Sequence, residues 1–145
     1  MTSIIKEMEV KYKTTSKKRY EIKITSPDAT VDFLRDKLKN QTQEIFIAIY
    51  LDGANNISGW QQITVGLLNS CQVHPREVYK SALLCNCAAV IFAHNHPSNN
   101  PQPSTKDRDM TDQLKKAGDI LGISVLDHLI ITDDEHFSFH EDGSI

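Results

Sequence analysis

Apolar residues recur along this chain at two different periods, and the alternation between them marks out its elements. Two uninterrupted apolar runs, Ile45 to Leu51 and Ala88 to Ala93, are short enough to be strands buried on both faces. Helical spacing appears instead in Val31, Leu34 and Leu38, and again in Met110, Leu114, Ala117 and Leu121. The first stripe follows Ser26-Pro27-Asp28, a favourable cap with proline at the first helical position. The second follows Ser104, with Asp107 three residues on. A turn at Asp52 to Asn56 leads to another strand through about Val65, and Pro75 opens a further helix to about Asn86. Strands at Ser124 to Thr132 and His136 to His140 complete an α/β layered chain.

The first 25 residues read differently: strands at Glu7 to Lys13 and Tyr20 to Thr25, joined by the polar turn Thr14 to Arg19. This divides the chain into an N-terminal β-hairpin extension, residues 1–25, and one domain, residues 26–145, within the usual size of a single hydrophobic core. Charge follows the same division. Residues 1–23 hold seven basic and three acidic side chains, although the whole chain is at −3. Lys11, Lys13, Lys17, Lys18 and Arg19 could touch nucleic acid, but a solvated face or a lysine-guarded edge strand is the more ordinary use of such a pattern.

No segment reaches the roughly 18 consecutive apolar residues of a membrane span, and the start, Met1 to Lys6, lacks the apolar core of a secretory signal. A cytoplasmic location without membrane attachment is expected. Three cysteines cannot all pair within one chain. Cys85 lies at helical spacing from Val78 and Ala82, which suits a small apolar core residue. Cys85-x-Cys87 lacks a partner pair or a suitably spaced histidine for a metal site.

The chemistry concentrates in fourteen residues. In an extended segment His94 and His96 project from the same side while Asn95 points away, so both imidazoles can face one ion. Pro97 to Pro103 cannot continue a strand and reverses the chain. Asp107 then falls in the first turn of a helix, able to supply a third, anionic ligand. Three protein ligands leave tetrahedral zinc one open position, the mark of a catalytic rather than a closed structural site. Ser104 and Asp107 also fit a capping box with Asp in place of Glu or Gln, and capping alone would account for that pair.

The segment HNHPSNNPQPSTKD resembles the HxHx7SxxD signature of the JAMM (MPN+) zinc peptidases in the form carried by the bacterial RadC family. The surrounding words agree: Val73-His74-Pro75-Arg76-Glu77-Val78, Asn86-Cys87-Ala88-Ala89-Val90-Ile91, Ala117-Gly118 through Gly122-Ile123, and Leu126-Asp127-His128-Leu129-Ile130. The resemblance implies a three-layer, cytidine-deaminase-like JAMM/MPN domain in which helices flank a mixed β-sheet. It implies Zn²⁺ as cofactor, with His94, His96 and Asp107 as ligands and Ser104 as a hydrogen-bond donor to the oxyanion.

The family also uses a glutamate, at the start of the strand after the first helix, to hold and deprotonate the attacking water. Glu44 occupies that place, and Glu77, in a surface-looking helix start, is the runner-up. The implied reaction is hydrolysis of an amide or isopeptide bond in a protein or peptide substrate. Where the family usually has Gly-Asp, this chain has Asn99-Asn100; Asn tolerates positive φ better than other replacements, so the loop is expected to keep its shape.

The family carries an association with DNA repair, and its full-length members typically place a helix-hairpin-helix region ahead of the metal domain; the expectation here is the metal domain alone. A metal-stabilised scaffold without turnover and a nucleic-acid-binding protein are the competing readings. Among the other histidines, His128 is expected to be buried against a carbonyl or carboxylate beside the ligands. His74, at a helix entry, and His136 and His140, in a terminal hairpin, carry little weight as ligands.

Overall fold

The computed structural model describes residues 22–66 and 73–145, together with 5–7, 9 and 11. Most of the expected N-terminal hairpin, with Lys13, Lys17, Lys18 and Arg19, therefore lies outside the described residues, as does Cys71. What is described of its second strand pairs with the domain: Lys23 bridges Asn56, and the Ile24 N–H donates to the Asn55 carbonyl at 2.9 Å.

Among the described residues there are three helices and five strands: α1 (Pro27–Leu38), β1 (Glu44–Leu51), β2 (Ile57–Gly66), α2 (Pro75–Leu84), β3 (Ala89–Asn95), α3 (Thr105–Leu121), β4 (Ser124–Ile131) and β5 (His136–Ser138). They form one mixed sheet in the order β2-β1-β3-β4-β5, in which only the β3–β4 pair is parallel. The two apolar runs become neighbouring inner strands, β1 and β3, because only positions covered on both faces can use so many apolar side chains.

The alternation of side chains sorts these strands between two cores. Ile45, Ile47, Ile49 and Leu51 join Ala89, Ile91, Ala93, Leu129 and Ile131 beneath the α1 stripe of Val31, Leu34 and Leu38. On the opposite face Phe46, Ala48 and Tyr50 join Val90 and Phe92 beneath Val78, Tyr79 and Ala82 of α2 and Leu114 of α3. The expected helix–sheet–helix layering results. Each of these large side chains contributes about 1.5–3 kcal/mol through burial, and the two-residue period fixes which way the polar residues at the strand ends must face.

Helix α2 ends at Leu84 and β4 at Ile131, one or two residues short of the pattern-based reading, and two strand ends differ for a plain reason. β3 runs on through His94 and Asn95 because parallel pairing with β4 continues to Asn95 opposite Ile131. β5 is shorter, since the chain turns after Ser138 with the Phe139 N–H donating to the His128 carbonyl at 3.0 Å. Cys85 is half-buried at the C-terminal end of α2, and Cys87 is the buried member of the pair, its thiol pushed up to about 12 by burial first and by Cys85 next.

Helix α3 packs tightly against its neighbours at Gly118. A β-carbon there would lie 2.6 Å from both the Ile123 carbonyl oxygen and the Tyr79 hydroxyl, and that hydroxyl is pinned by a 2.6 Å bond to the Leu114 carbonyl. Gly118→Ala is therefore expected to destabilise the domain by about 1–3 kcal/mol, overpacking outweighing the helix propensity of alanine. Urea unfolding checks this; an unchanged or raised midpoint would show that α3 can retreat at no cost.

Candidate metal centre

Three elements bring the polar strand ends together on the face shared with α3. β3 carries His94, which is fully buried, and delivers His96 just beyond its end. Ser104 caps α3, its Oγ accepting the Asp107 N–H at 3.1 Å while Asp107 Oδ2 accepts the Ser104 N–H at 2.7 Å, and the resulting box holds the Asp107 carboxylate against the histidines. His94, His96 and Asp107 each present one ligand atom, all within 4.8 Å of one another. His94 Nε2 is 3.0 Å from His96 Nε2 and 3.3 Å from Asp107 Oδ1, and His96 Nε2 is 3.4 Å from Asp107 Oδ2.

The hydrogen bonds behind the rings determine which nitrogens carry protons. His96 Nδ1 lies 2.7 Å from the Asn100 carbonyl oxygen, which can only accept, so Nδ1 donates and Nε2 keeps a lone pair in the neutral ring. A longer chain fixes His94. The Thr111 hydroxyl donates to the Asp107 carbonyl at 2.7 Å, so its oxygen must accept from His128 Nδ1 at 2.6 Å. His128 is enclosed, and burial first, then the charge of His94, pushes its pKa well below the ordinary value. Being neutral, it offers Nε2 as acceptor to His94 Nδ1 at 2.8 Å, which leaves His94 Nε2 unprotonated.

Two lone-pair nitrogens and a carboxylate thus face one small space, which only a cation or a shared proton can satisfy. Tetrahedral zinc with ligands at 2.0–2.1 Å would hold its donor atoms about 3.3 Å apart, close to the 3.0 to 3.4 Å spacings here. The donor set fits zinc.

Electrostatics favour the same occupant. For Asp107, burial raises the pKa, but the adjoining His94 and His96 rings, whenever a proton is shared between them and the carboxylate, together with the backbone of Ser104 outweigh it and hold the carboxyl well below its usual range. For His96, burial lowers the pKa, yet Asp107, the Asn100 carbonyl and Glu44 together raise it above 6.5. A proton therefore competes with a metal for His96 Nε2, and more strongly than at a free histidine. Zinc affinity is expected to fall as pH drops through this raised value, by about tenfold per pH unit per competing proton. Chelator competition between about pH 5.5 and 8.5 measures it; a flat profile would contradict the tautomers given above.

Glu44 begins β1 on the same face as Phe46, which stacks with His94 at 6.2 Å between ring centres. It is half-buried, and its pKa is raised chiefly by burial, with His94 and His96 opposing and Asp107 adding to the rise. Glu77 is elsewhere, on the surface of α2, bound to Lys80 at 3.0 Å and near Arg76 at 3.6 Å. Ser104 Oγ sits 2.8 Å from Asp107 Oδ2 and donates to it, so its hydroxyl takes part in the cap and borders the site at once.

Asn99 has φ 61, and its side chain accepts the Asp133 N–H at 3.0 Å and donates to Asp134 at 3.3 Å, tying the loop to the turn after β4. His74 caps α2, His136 lies 3.8 Å from Asp28, and His140 is exposed.

His128 was expected against a carbonyl or carboxylate, and instead bonds His94 and Thr111. Thr111 escaped the sequence reading altogether. Its signal was its place four residues after Asp107, on the same side of α3.

Residues 24–144 match the family described as RadC-like JAB domain. The chain is 48% identical over 121 residues to a UPF0758 protein of Trichlorobacter lovleyi, covering 83% of this chain and 53% of that one. A UPF0758 protein of Methanosarcina mazei is 43% identical over 123 residues, covering 85% and 54%. The chain spans about half the length of the curated relatives it matches. Among the described residues no helix is long and apolar enough to cross a membrane.

Proposed function

Because this chain belongs to the RadC-like JAB domain family, we propose that it is a zinc-dependent hydrolase that cuts an amide or isopeptide bond in a protein or peptide. The observation that carries the reading is the convergence of His94 Nε2, His96 Nε2 and the Asp107 carboxylate, with both rings held in the ligating tautomer, on the face where half-buried Glu44 also lies. His94, His96 and Asp107 would hold the ion. Bound zinc supplies a Lewis acid that polarises the carbonyl and brings the pKa of water from 15.7 to about 7.

Glu44 accepts the proton of the attacking water and then delivers it to the leaving amine. Its raised pKa brings the carboxyl nearer to neutrality, where one group can do both. The Ser104 hydroxyl turns from Asp107 to donate to the oxygen on which charge develops. Its engagement in the cap also suits the competing reading, a metal-stabilised scaffold without turnover.

Elemental analysis of the purified chain, beside His96→Ala and Asp107→Ala, is the first test, with one equivalent of zinc expected and lost in both variants. A pool of peptides and lysine-linked isopeptides, searched by mass spectrometry for new amine termini, is the second. Cleavage that stops on chelation and returns with zinc is the expected result. Absence of zinc after reconstitution would end the metal reading, and tight zinc binding with no cut in any pool would favour the scaffold.

A further inference from the structure

We propose that Asn95, the middle residue of His94-Asn95-His96, is the positioning residue that sets Glu44 over the metal site. This rests on the hydrolase reading above and goes beyond it by naming how the base is held. The side chain does not simply point away. Asn95 Oδ1 accepts the Ile45 N–H at 2.7 Å, and Nδ2 donates to the Gln43 carbonyl at 3.0 Å. Those are the backbone groups on either side of Glu44. Asn95 is only 4% exposed, and its bond to the buried Ile45 is shielded from competing water, while the one to Gln43 lies nearer the surface.

The reason lies in how two strands part company. β1 and β3 pair from Leu51 opposite Ala89 as far as Phe46 opposite His94, and there the ladder ends. β3 instead stays with β4, with the His96 N–H reaching the Ile131 carbonyl at 3.3 Å. Had the ladder continued, the same register would set His96 directly opposite Glu44 with Cα atoms about 4.5–5.5 Å apart; the parting of the strands leaves the backbone around Glu44 to be placed by other contacts.

Separation alone would leave the Gln43 carbonyl without its rung and orphan the Ile45 N–H, which is costly because Ile45 is buried. A carboxamide has the donor and the acceptor of a peptide unit in one plane and replaces the missing rung. Asparagine is therefore suited to this position. Aspartate offers no donor to the Gln43 carbonyl, glutamine is a methylene too long, and alanine leaves both groups unpaired.

The test uses the chain loaded with cobalt(II), whose visible absorption reports its coordination, in the unaltered protein, Glu44→Gln, Asn95→Ala and the double variant. All four are expected to bind one cobalt with similar affinity, since no ligand is changed. Glu44→Gln should move the apparent pKa of the pH-dependent absorption change by about one unit. Asn95→Ala should move it in the same direction, and the double variant no further than Glu44→Gln alone, because a residue acting only through Glu44 has nothing left to act on.

An Asn95→Ala profile identical to the unaltered one, even with a lowered melting temperature, would overturn the proposal, as would additive shifts. A silent Glu44→Gln would remove both this inference and the assigned base; a responsive Glu44→Gln with a silent Asn95→Ala would remove the inference alone. If Asn95→Ala does not fold, Asn95→Ser takes its place. In the metal-free protein, faster amide exchange at Ile45 than at Ile47 is the expected response to either change, and unaltered exchange at Ile45 would count against the clamp.

Discussion

Replacing Glu44 by glutamine is expected to leave one zinc ion bound and to lower amide hydrolysis by about 10²–10⁴-fold. Glutamine keeps the shape of the side chain and the start of β1, so Phe46 still stacks with His94 and the ligand set is untouched. What it cannot do is accept a proton. The effect falls on turnover rather than on metal content, and single-turnover cleavage of whichever peptide the unaltered protein cuts, beside elemental analysis, separates the two. A Glu44→Gln protein that still cleaves would remove the base assigned here.

The same assignment fixes the sign of the acid limb of the pH profile. Below the raised Glu44 pKa the carboxyl is protonated and inactive as a base; activity rises with pH through that value, which lies above the ordinary 4.5 because burial disfavours the ion.

Replacing His128 by phenylalanine is expected to weaken zinc binding by about 10–100-fold without touching a ligand. The ring occupies an aromatic enclosure, stacked on Phe139 at 4.9 Å and edge-on to Phe46 and Phe92, so an aromatic replacement keeps most of the packing. It removes both ring nitrogens. His94 Nδ1 then has no acceptor, its proton is free to move to Nε2, and the lone pair aimed at the ion is lost from that tautomer.

Leaving the buried His94 N–H and Thr111 hydroxyl short of a partner is also expected to cost about 1–3 kcal/mol of stability. Competition with a chelator measures the first effect and urea unfolding the second. Thr111→Val should move zinc affinity the same way by a smaller factor, since His128 keeps its ring but loses what selects its tautomer. Unchanged affinity in both variants would show that the relay packs the site without preparing it.

Some of this was readable from the chain because the relevant distances are short in sequence. His94 and His96 share a side by the alternation of an extended strand, and Ser104 and Asp107 meet within one helical turn, so local geometry already assembles most of the cluster. The apolar runs fixed β1 and β3 as inner strands, and Ser26 and Pro27 fixed the start of α1. Asn99 illustrates the limit of such reading. Its positive φ was expected from the residue type, but its bonds to Asp133 and Asp134 depend on a turn more than thirty positions away.

Asn95 shows the limit more sharply. Alternation turns it from the face of His94 and His96, yet it cannot tell that β3 leaves β1 at that point and that a side chain replaces the rung.

By itself, then, the order of residues determined the element types, the two-faced core and the nearness of His94, His96 and Asp107, because periodicity and capping act over one to four positions. Only the folded arrangement decided that Glu44 rather than Glu77 shares a face with that triad, that Asn95 spans Gln43 and Ile45, and that His128 and Thr111 select the His94 tautomer. The hydrogen bonds among them join residues 17 to 52 positions apart. Nothing local fixes such pairs: they exist because burial of the two apolar faces brings distant strand and helix ends to one place, where each polar group must find a partner or bear the cost of losing water.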